Sequence, residues 1–309
     1  MSNGERKKVL SRSETKDFVT YSRQFEGYKW SKPILEIVLS GLFLILSTVI
    51  CIGIGSIIIM VSGGDVKEFA TNLRKGYDAY DVYSLAGAFA SLGSLACIIP
   101  SVAIITKLVK SRPFHSVSSS CGGFSFKIFF KVLVPALIIV GIPTAIEAAS
   151  ISGGRGAIQF TVLGFIACLI LGPLQCMGEE YMFRGVLLQG IGSWVKVPII
   201  AIILQTLVFA YLHPYGVIGV IEVCLSGLLM GLAAYYTKGL ETSGAYHIVN
   251  NMVLFMMNGF GFKTISKNSS QVKDIILVIV LEGAYLAVVL LLDKKFNWFT
   301  RTPKEDDIV

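Results

Sequence analysis

Ionisable residues set within apolar sequence are the ones that could do chemistry here. The stretch Gly178-Glu179-Glu180-Tyr181-Met182-Phe183-Arg184-Gly185 places two adjacent carboxylates just ahead of an arginine. On a helix, residues four apart share a face, and Glu four positions before a cation is the favourable order, so Glu180 and Arg184 are expected to pair. Glu179 is rotated about 100° away and has no such local partner. A carboxylate left unpaired beside a neutralised one has the basicity to take a proton from water, which is the work of a general base. An architectural Glu–Arg clamp at a membrane boundary would use the same residues, and this motif alone does not separate the two.

Two more pairs share the four-residue spacing. Phe209 and His213 face the same way at the end of an apolar run, and Pro214 disfavours continuing the helix past His213. His247 and Asn251 lie in His247-Ile248-Val249-Asn250-Asn251. A histidine and an amide on one face can hold a metal or donate hydrogen bonds to a developing oxyanion. Taken singly, His213 reads more readily as an interfacial helix cap, and His247 with Asn251 as interhelical hydrogen bonds. Glu147, Glu222 and Glu282 also sit in apolar sequence. They read as protonated interhelical hydrogen-bonding groups, or as the proton path of a transporter. The third histidine, His115, is in a loop.

The elements that must carry these residues are membrane helices. Of the 309 residues, 54% are hydrophobic and only 15% charged, and the mean hydropathy is +0.70. Soluble domains carry about 25% charged residues, so this chain lacks the polar surface of one. Eight apolar runs, at 34–61, 83–106, 128–151, 157–178, 197–213, 216–236, 241–258 and 273–293, approach the length of about 18 residues that crosses a bilayer. The third and seventh are interrupted by polar residues. The expected fold is an all-α polytopic transmembrane bundle of about eight helices. It divides into a basic N-terminal segment at 1–32, a transmembrane domain at 33–293 and a tail at 294–309. The N-terminus is polar and basic, without the form of a cleavable signal peptide, and the polar end from Thr300 to Val309 reads as disordered.

The net charge of +7 does not point to nucleic acid, because the cations crowd into alternate loops. Arg6, Lys7, Lys8, Arg12, Lys16, Arg23, Lys29 and Lys32 precede the first run; Lys107, Lys110 and Arg112 follow the second; Lys294, Lys295, Arg301 and Lys304 follow the last. Residues 63–82 are acid-balanced, while Lys263, Lys267 and Lys273 go against the trend. The positive-inside rule then places both termini in the cytoplasm. Five of six cysteines lie in apolar runs, where Cys behaves as a small hydrophobe, so no disulfide framework is expected.

Depth supplies a test of convergence. Glu180 precedes the turn at Lys196 by 16 residues and His213 follows it by 17, so both lie about 25 Å from it on an antiparallel hairpin. His247 is only nine residues past Lys238, about 14 Å. The carboxylates and His213 are expected level with each other, and His247 less well matched unless the 184–196 end projects beyond the membrane.

Glu179-Glu180-x-x-x-Arg184, Phe209-x-x-x-His213 and His247-x-x-x-Asn251, in that order on successive apolar runs, resemble the three-motif signature of the CAAX protease and bacteriocin-processing (CPBP) family of intramembrane proteases. The resemblance covers about residues 157–258; the first three helices and the last carry no signature. It implies a helical bundle with a polar intramembrane cavity open to the cytoplasm, hydrolysing a peptide bond of a membrane-associated peptide or protein in a bacterial plasma membrane. Carried over, it makes Glu179 the water-activating base, Glu180 its partner held by Arg184, His213 a residue that positions water or metal, and His247 with Asn251 a pair for metal or oxyanion, with Phe209 in support. The cofactor stays open. Glu180, His213 and His247 could form a zinc-type set with one position left for water, or the site could work without metal, as competition from Arg184 for Glu180 favours. The rival functions are a catalytically silent membrane regulator or scaffold and, less favoured for want of an internal repeat, a proton-coupled transporter.

Overall fold

The computed structural model describes residues 17–75, 81–151, 154–213, 215–262 and 270–299. The expected disorder of 300–309, the loop cations Lys263 and Lys267, and most of the basic N-terminal segment lie outside these residues. Among the described residues there is no β-strand; a single bridge joins Ser119 and Gly239.

Nine helices of ten residues or more make up the described architecture: α1 (Lys32–Val61), α2 (Val66–Lys75), α3 (Leu85–Val109), α4 (Phe126–Ile151), α5 (Val162–Val195), α6 (Pro198–Tyr211), α7 (Val217–Thr237), α8 (Glu241–Gly259) and α9 (Val272–Phe296). All eight apolar runs of the sequence lie on these helices. Six of them, α1, α3, α4, α5, α7 and α9, are long and apolar enough to cross a membrane. Of the other two, α6 has only 14 residues, while α8 carries Thr242, Ser243, His247, Asn250, Asn251 and Asn258 along its length. The extra helix, α2, is short and amphipathic, with Phe69 turned inward and Lys67, Glu68 and Lys75 outward. The chain is an all-helical integral membrane protein.

Sequence chemistry explains several of the helix ends. Thr161 caps α5 by accepting from Gly164 N at 3.0 Å, and Ser125 caps α4 by accepting from Ile128 N; both satisfy first-turn N–H groups that have no partner within the helix. Pro198 opens α6, where its missing N–H costs nothing. Lys110, Lys196 and Lys238 close α3, α5 and α7 in the left-handed conformation.

The most polar membrane helix is the most enclosed. Helix α8 packs against α4, α5, α7 and α9, and every residue from Glu241 to His247 is buried. By contrast α1 exposes Leu42, Ile45 and Val49 on its outer side, the surface a helix shows to lipid. Helices α3 and α8 both pack against α5. Lipid tails are as apolar as the helices, so close packing rather than water exclusion must hold such a bundle together. Glycine makes two of these contacts possible. A Cβ at Gly178 would stand 2.2 Å from the Leu95 carbonyl oxygen of α3, and one at Gly244 would stand 2.5 Å from the Met177 sulfur of α5.

Candidate active site

Helix α5 changes its winding at the motif. Its α-helical part ends at Glu180, and Tyr181–Leu188 forms a wide, π-type turn before the helix resumes at Gln189. Such turns occur frequently at functional sites because they redirect side chains without ending the helix. Glu180 and Arg184 nevertheless remain paired, with Nη1 of Arg184 donating to Oε1 of Glu180 at 2.9 Å. Neither residue has any exposed surface.

His247 stands against both carboxylates. Its Nδ1 lies 2.9 Å from Oε1 of Glu180, the same oxygen that Arg184 binds. Its Nε2 lies 3.7 Å from Oε2 of Glu179, too long for a hydrogen bond. A carboxylate oxygen already paired with a guanidinium can only accept, so Nδ1 carries the proton and Nε2 is turned to Glu179. The close approach at Gly244, one helical turn before His247, is what brings this ring to α5; the Gly244 Cβ position would be 4.0 Å from Cγ of Glu180.

Glu179 has a neighbour that the motif does not include. Nε2 of Gln175 donates to Oε1 of Glu179, one turn earlier on α5. Cys176 joins the same group: its thiol donates to Oε1 of Gln175 at 3.4 Å and lies beside Asn251, Glu179 and Glu180. The i, i+4 spacing of Gln175 and Glu179 is visible in sequence, but a glutamine is not ionisable and the spacing alone does not mark it as part of a site. Asn251 also accepts from Nδ2 of Asn250 at 3.2 Å.

His213 is held at one remove. Its Nδ1 lies 2.7 Å from the Phe209 carbonyl oxygen, and its ring is 4.6 Å from the Phe209 ring. The opposite neighbour of Phe209 is Arg184, whose guanidinium carbon is 4.5 Å from the ring centroid, a cation–π distance. Phe209 therefore links the carboxylate pair to His213. The depth expectation is thus corrected: His247, not His213, is the histidine in direct contact with the carboxylates. The reason is that α5 continues to Val195, whereas the α7–α8 turn is drawn in beside residues 118–119, with Leu240 N donating to Ser118 O and Gly239 bridging Ser119. Nine residues from that turn suffice to reach the level of Glu180.

Of the two alternatives the sequence leaves open, a metal set of Glu180, His213 and His247 does not fit this arrangement. Among the described residues no three His, Cys, Asp or Glu side chains are grouped so as to hold a metal ion. Moreover, Oε1 of Glu180 serves Arg184 and His247 together.

The remaining intramembrane glutamates lie elsewhere. Glu282 of α9 accepts from Tyr246 and Ser226. Glu147 and Glu222 line a cavity between α4, α7, α8 and α9, together with Asp274, Tyr246 and Asn250.

Comparison with known proteins meets the same segment. Residues 158–253 match the family described as "Type II CAAX prenyl endopeptidase Rce1-like". A protein of Bacillus subtilis (strain 168), described as "Uncharacterized protein YyaK", is 29% identical over 170 residues, an alignment covering 51% of this chain and 56% of that protein. The chain thus spans little more than half the length of the curated relative it matches. No solved structure matches the chain. The segment that carries all three motifs, residues 158–253, matches the CAAX protease (CPBP) family.

Proposed function

We propose that this chain is an intramembrane endopeptidase that hydrolyses a peptide bond of a membrane-associated peptide or protein, with Glu179 activating the water. The observation that carries this reading is the division of labour between adjacent carboxylates. Glu180 is fully buried and bound by Arg184 and His247. Glu179 is 8% exposed, receives one hydrogen bond from Gln175, and keeps Oε2 facing His247. A base must be anchored by one oxygen and reach the nucleophile with the other.

In this reading Oε2 of Glu179 takes a proton from water as its oxygen attacks the scissile carbonyl, and Glu179 then returns that proton to the leaving amine. His247, with Nδ1 committed to Glu180, is oriented so that Nε2 faces the same space and steadies the water. Asn251 supplies a donor for the tetrahedral oxyanion, which preorganised groups in a poorly hydrated site stabilise far better than water does, while His213, bound to the Phe209 carbonyl, supports the site through the Phe209 ring. No step in this reading passes through a metal, since among the described residues no three His, Cys, Asp or Glu side chains are grouped to hold one.

The residues 157–258 form the catalytic core in this proposal, set in a bacterial plasma membrane with both termini cytoplasmic. The left-handed lysine caps support that orientation. Lys32 at the start of α1 donates to the Lys110 carbonyl at the end of α3, so these two basic ends are neighbours. The prenyl endopeptidase named for the matched family makes lipidated peptides the first substrates to try.

The deciding experiment compares the peptides of membranes holding the wild-type protein with those holding Glu179→Gln. Fragments that appear only with the wild type identify the cleavage, whereas identical inventories from two folded proteins would remove the peptidase reading and leave a regulator or scaffold.

A further inference from the structure

The wide turn in α5 requires an anchor, because a helix gains by returning to regular α winding. In regular winding at about 100° per residue, Arg184 and Gln189 would diverge by about 140°; where five residues close a turn they come onto one side. Annealing the turn would rotate one flank of α5 against the other by about one residue, or 100°. Glu180 and Arg184 sit at that junction, so such a rotation would carry one of them away from His247.

A buried ion pair meets the turn at this point. Arg112, just after α3, has Nη2 2.8 Å from Oε2 of Glu36 on α1, and its Nε donates to the same oxygen at 3.2 Å. Nη1 donates to Oε1 of Gln189, and Nη2 reaches the Gly185 carbonyl at 3.3 Å. In a regular helix that carbonyl would serve Gln189 N–H, but here Gln189 N–H donates to Val186 O. Gln189 is completed by Nε2, which donates to the carbonyls of Ser116 and Val117 at 3.1 and 3.2 Å. Ser111 also donates to Glu36. Arg112 and Glu36 are 5% and 3% exposed. Two charges buried this deeply are costly unless closely paired, and every nitrogen of this guanidinium is engaged.

We propose that Arg112, locked by Glu36, is a positioning residue that holds the wide turn of α5 in register and thereby keeps Glu180 and Arg184 at His247. It acts from outside the family-matched segment, since neither Glu36 nor Arg112 lies in 158–253, and it gives the first helices a part in the site. Its kinetic consequence rests on the peptidase reading; its structural consequence does not.

The test uses full-length protein in lipid nanodiscs and four variants: Arg112→Lys, Arg112→Gln, Glu36→Gln and the apolar pair Arg112→Met with Glu36→Met. The apolar pair removes both charges together and so avoids leaving one stranded; it keeps the proposal testable if a single variant fails to fold. Amide hydrogen exchange is followed over residues 181–189 and over 162–178, and hydrolysis of a quenched-fluorescent peptide library is measured alongside. In folded variants, exchange over 181–189 is expected to rise about tenfold or more while 162–178 is unchanged. The turnover number is expected to fall about tenfold or more at unaltered KM. Arg112→Lys, which keeps the charge but not the fork, is expected to fold well without restoring either. Unchanged exchange over 181–189 in a folded apolar pair, or an even rise across all of α5, overturns the proposal. If the wild type cleaves no member of the library, the exchange arm still decides the role of Arg112, and the peptidase reading alone has failed.

Discussion

Nδ1 of His247 lies 2.9 Å from the Glu180 oxygen that Arg184 also binds, although the two residues are 67 positions apart. This contact fixes which imidazole nitrogen is free and which carboxylate is spoken for. It leaves Glu179 as the only member of the pair with an oxygen turned toward the histidine and not held by Arg184.

Glu179→Gln is expected to lower peptide cleavage by about two to four orders of magnitude, the usual worth of a general base. The amide is isosteric, so yield and melting temperature of the detergent-purified protein should match the wild type. Cleavage at the wild-type rate by this variant would take the base assignment from Glu179.

Arg184→Ala should behave differently. It strands Glu180 as a lone charge in a fully buried site, which costs about 3–5 kcal/mol, and it removes the cation from the Phe209 ring. Both folded yield and activity should drop together. A variant as stable as the wild type would show that Glu180 is not held as an anion by this arginine.

Gln175→Leu is expected to separate the two properties again. The side chain keeps its bulk but no longer donates to Glu179, and a hydrogen bond to a charged group is worth about 1.5–3 kcal/mol. Turnover should fall by at least about tenfold at unchanged KM, and Gln175→Glu should not rescue it, because a second carboxylate offers no donor while ionised. Wild-type kinetics in the leucine variant would mean that Glu179 is oriented by something else.

Exhaustive chelation is expected to leave cleavage intact, because among the described residues no three His, Cys, Asp or Glu side chains are grouped to hold a metal ion. Metal content by elemental analysis and activity before and after chelation would decide the point. Loss of activity that returns on adding back one equivalent of zinc would establish a metal centre.

Reporter fusions at Val309 and within residues 63–82 should report opposite sides of the membrane, with Val309 cytoplasmic. Matching signals from the two positions would show that the helix count or the orientation is wrong.

What the sequence determined by itself is what depends on neighbours along the chain. Hydropathy alone implied membrane helices, because a span needs about twenty apolar residues in succession. The Glu180–Arg184 pair was legible from a four-residue spacing, since helix geometry places those side chains together whatever surrounds them. The tertiary structure decided everything that depends on where helices meet. It lowered the α7–α8 turn beside Ser118 and Ser119, so His247 meets the carboxylates although residue counting from the turns favoured His213. It brought Glu36 and Arg112, 76 positions apart, onto α5 near Gly185, a contact no periodicity encodes. The wide turn at Tyr181–Leu188 was equally hidden. Its cost is local but its stabilisation comes from side chains on other helices, and one-dimensional spacing carries no record of those.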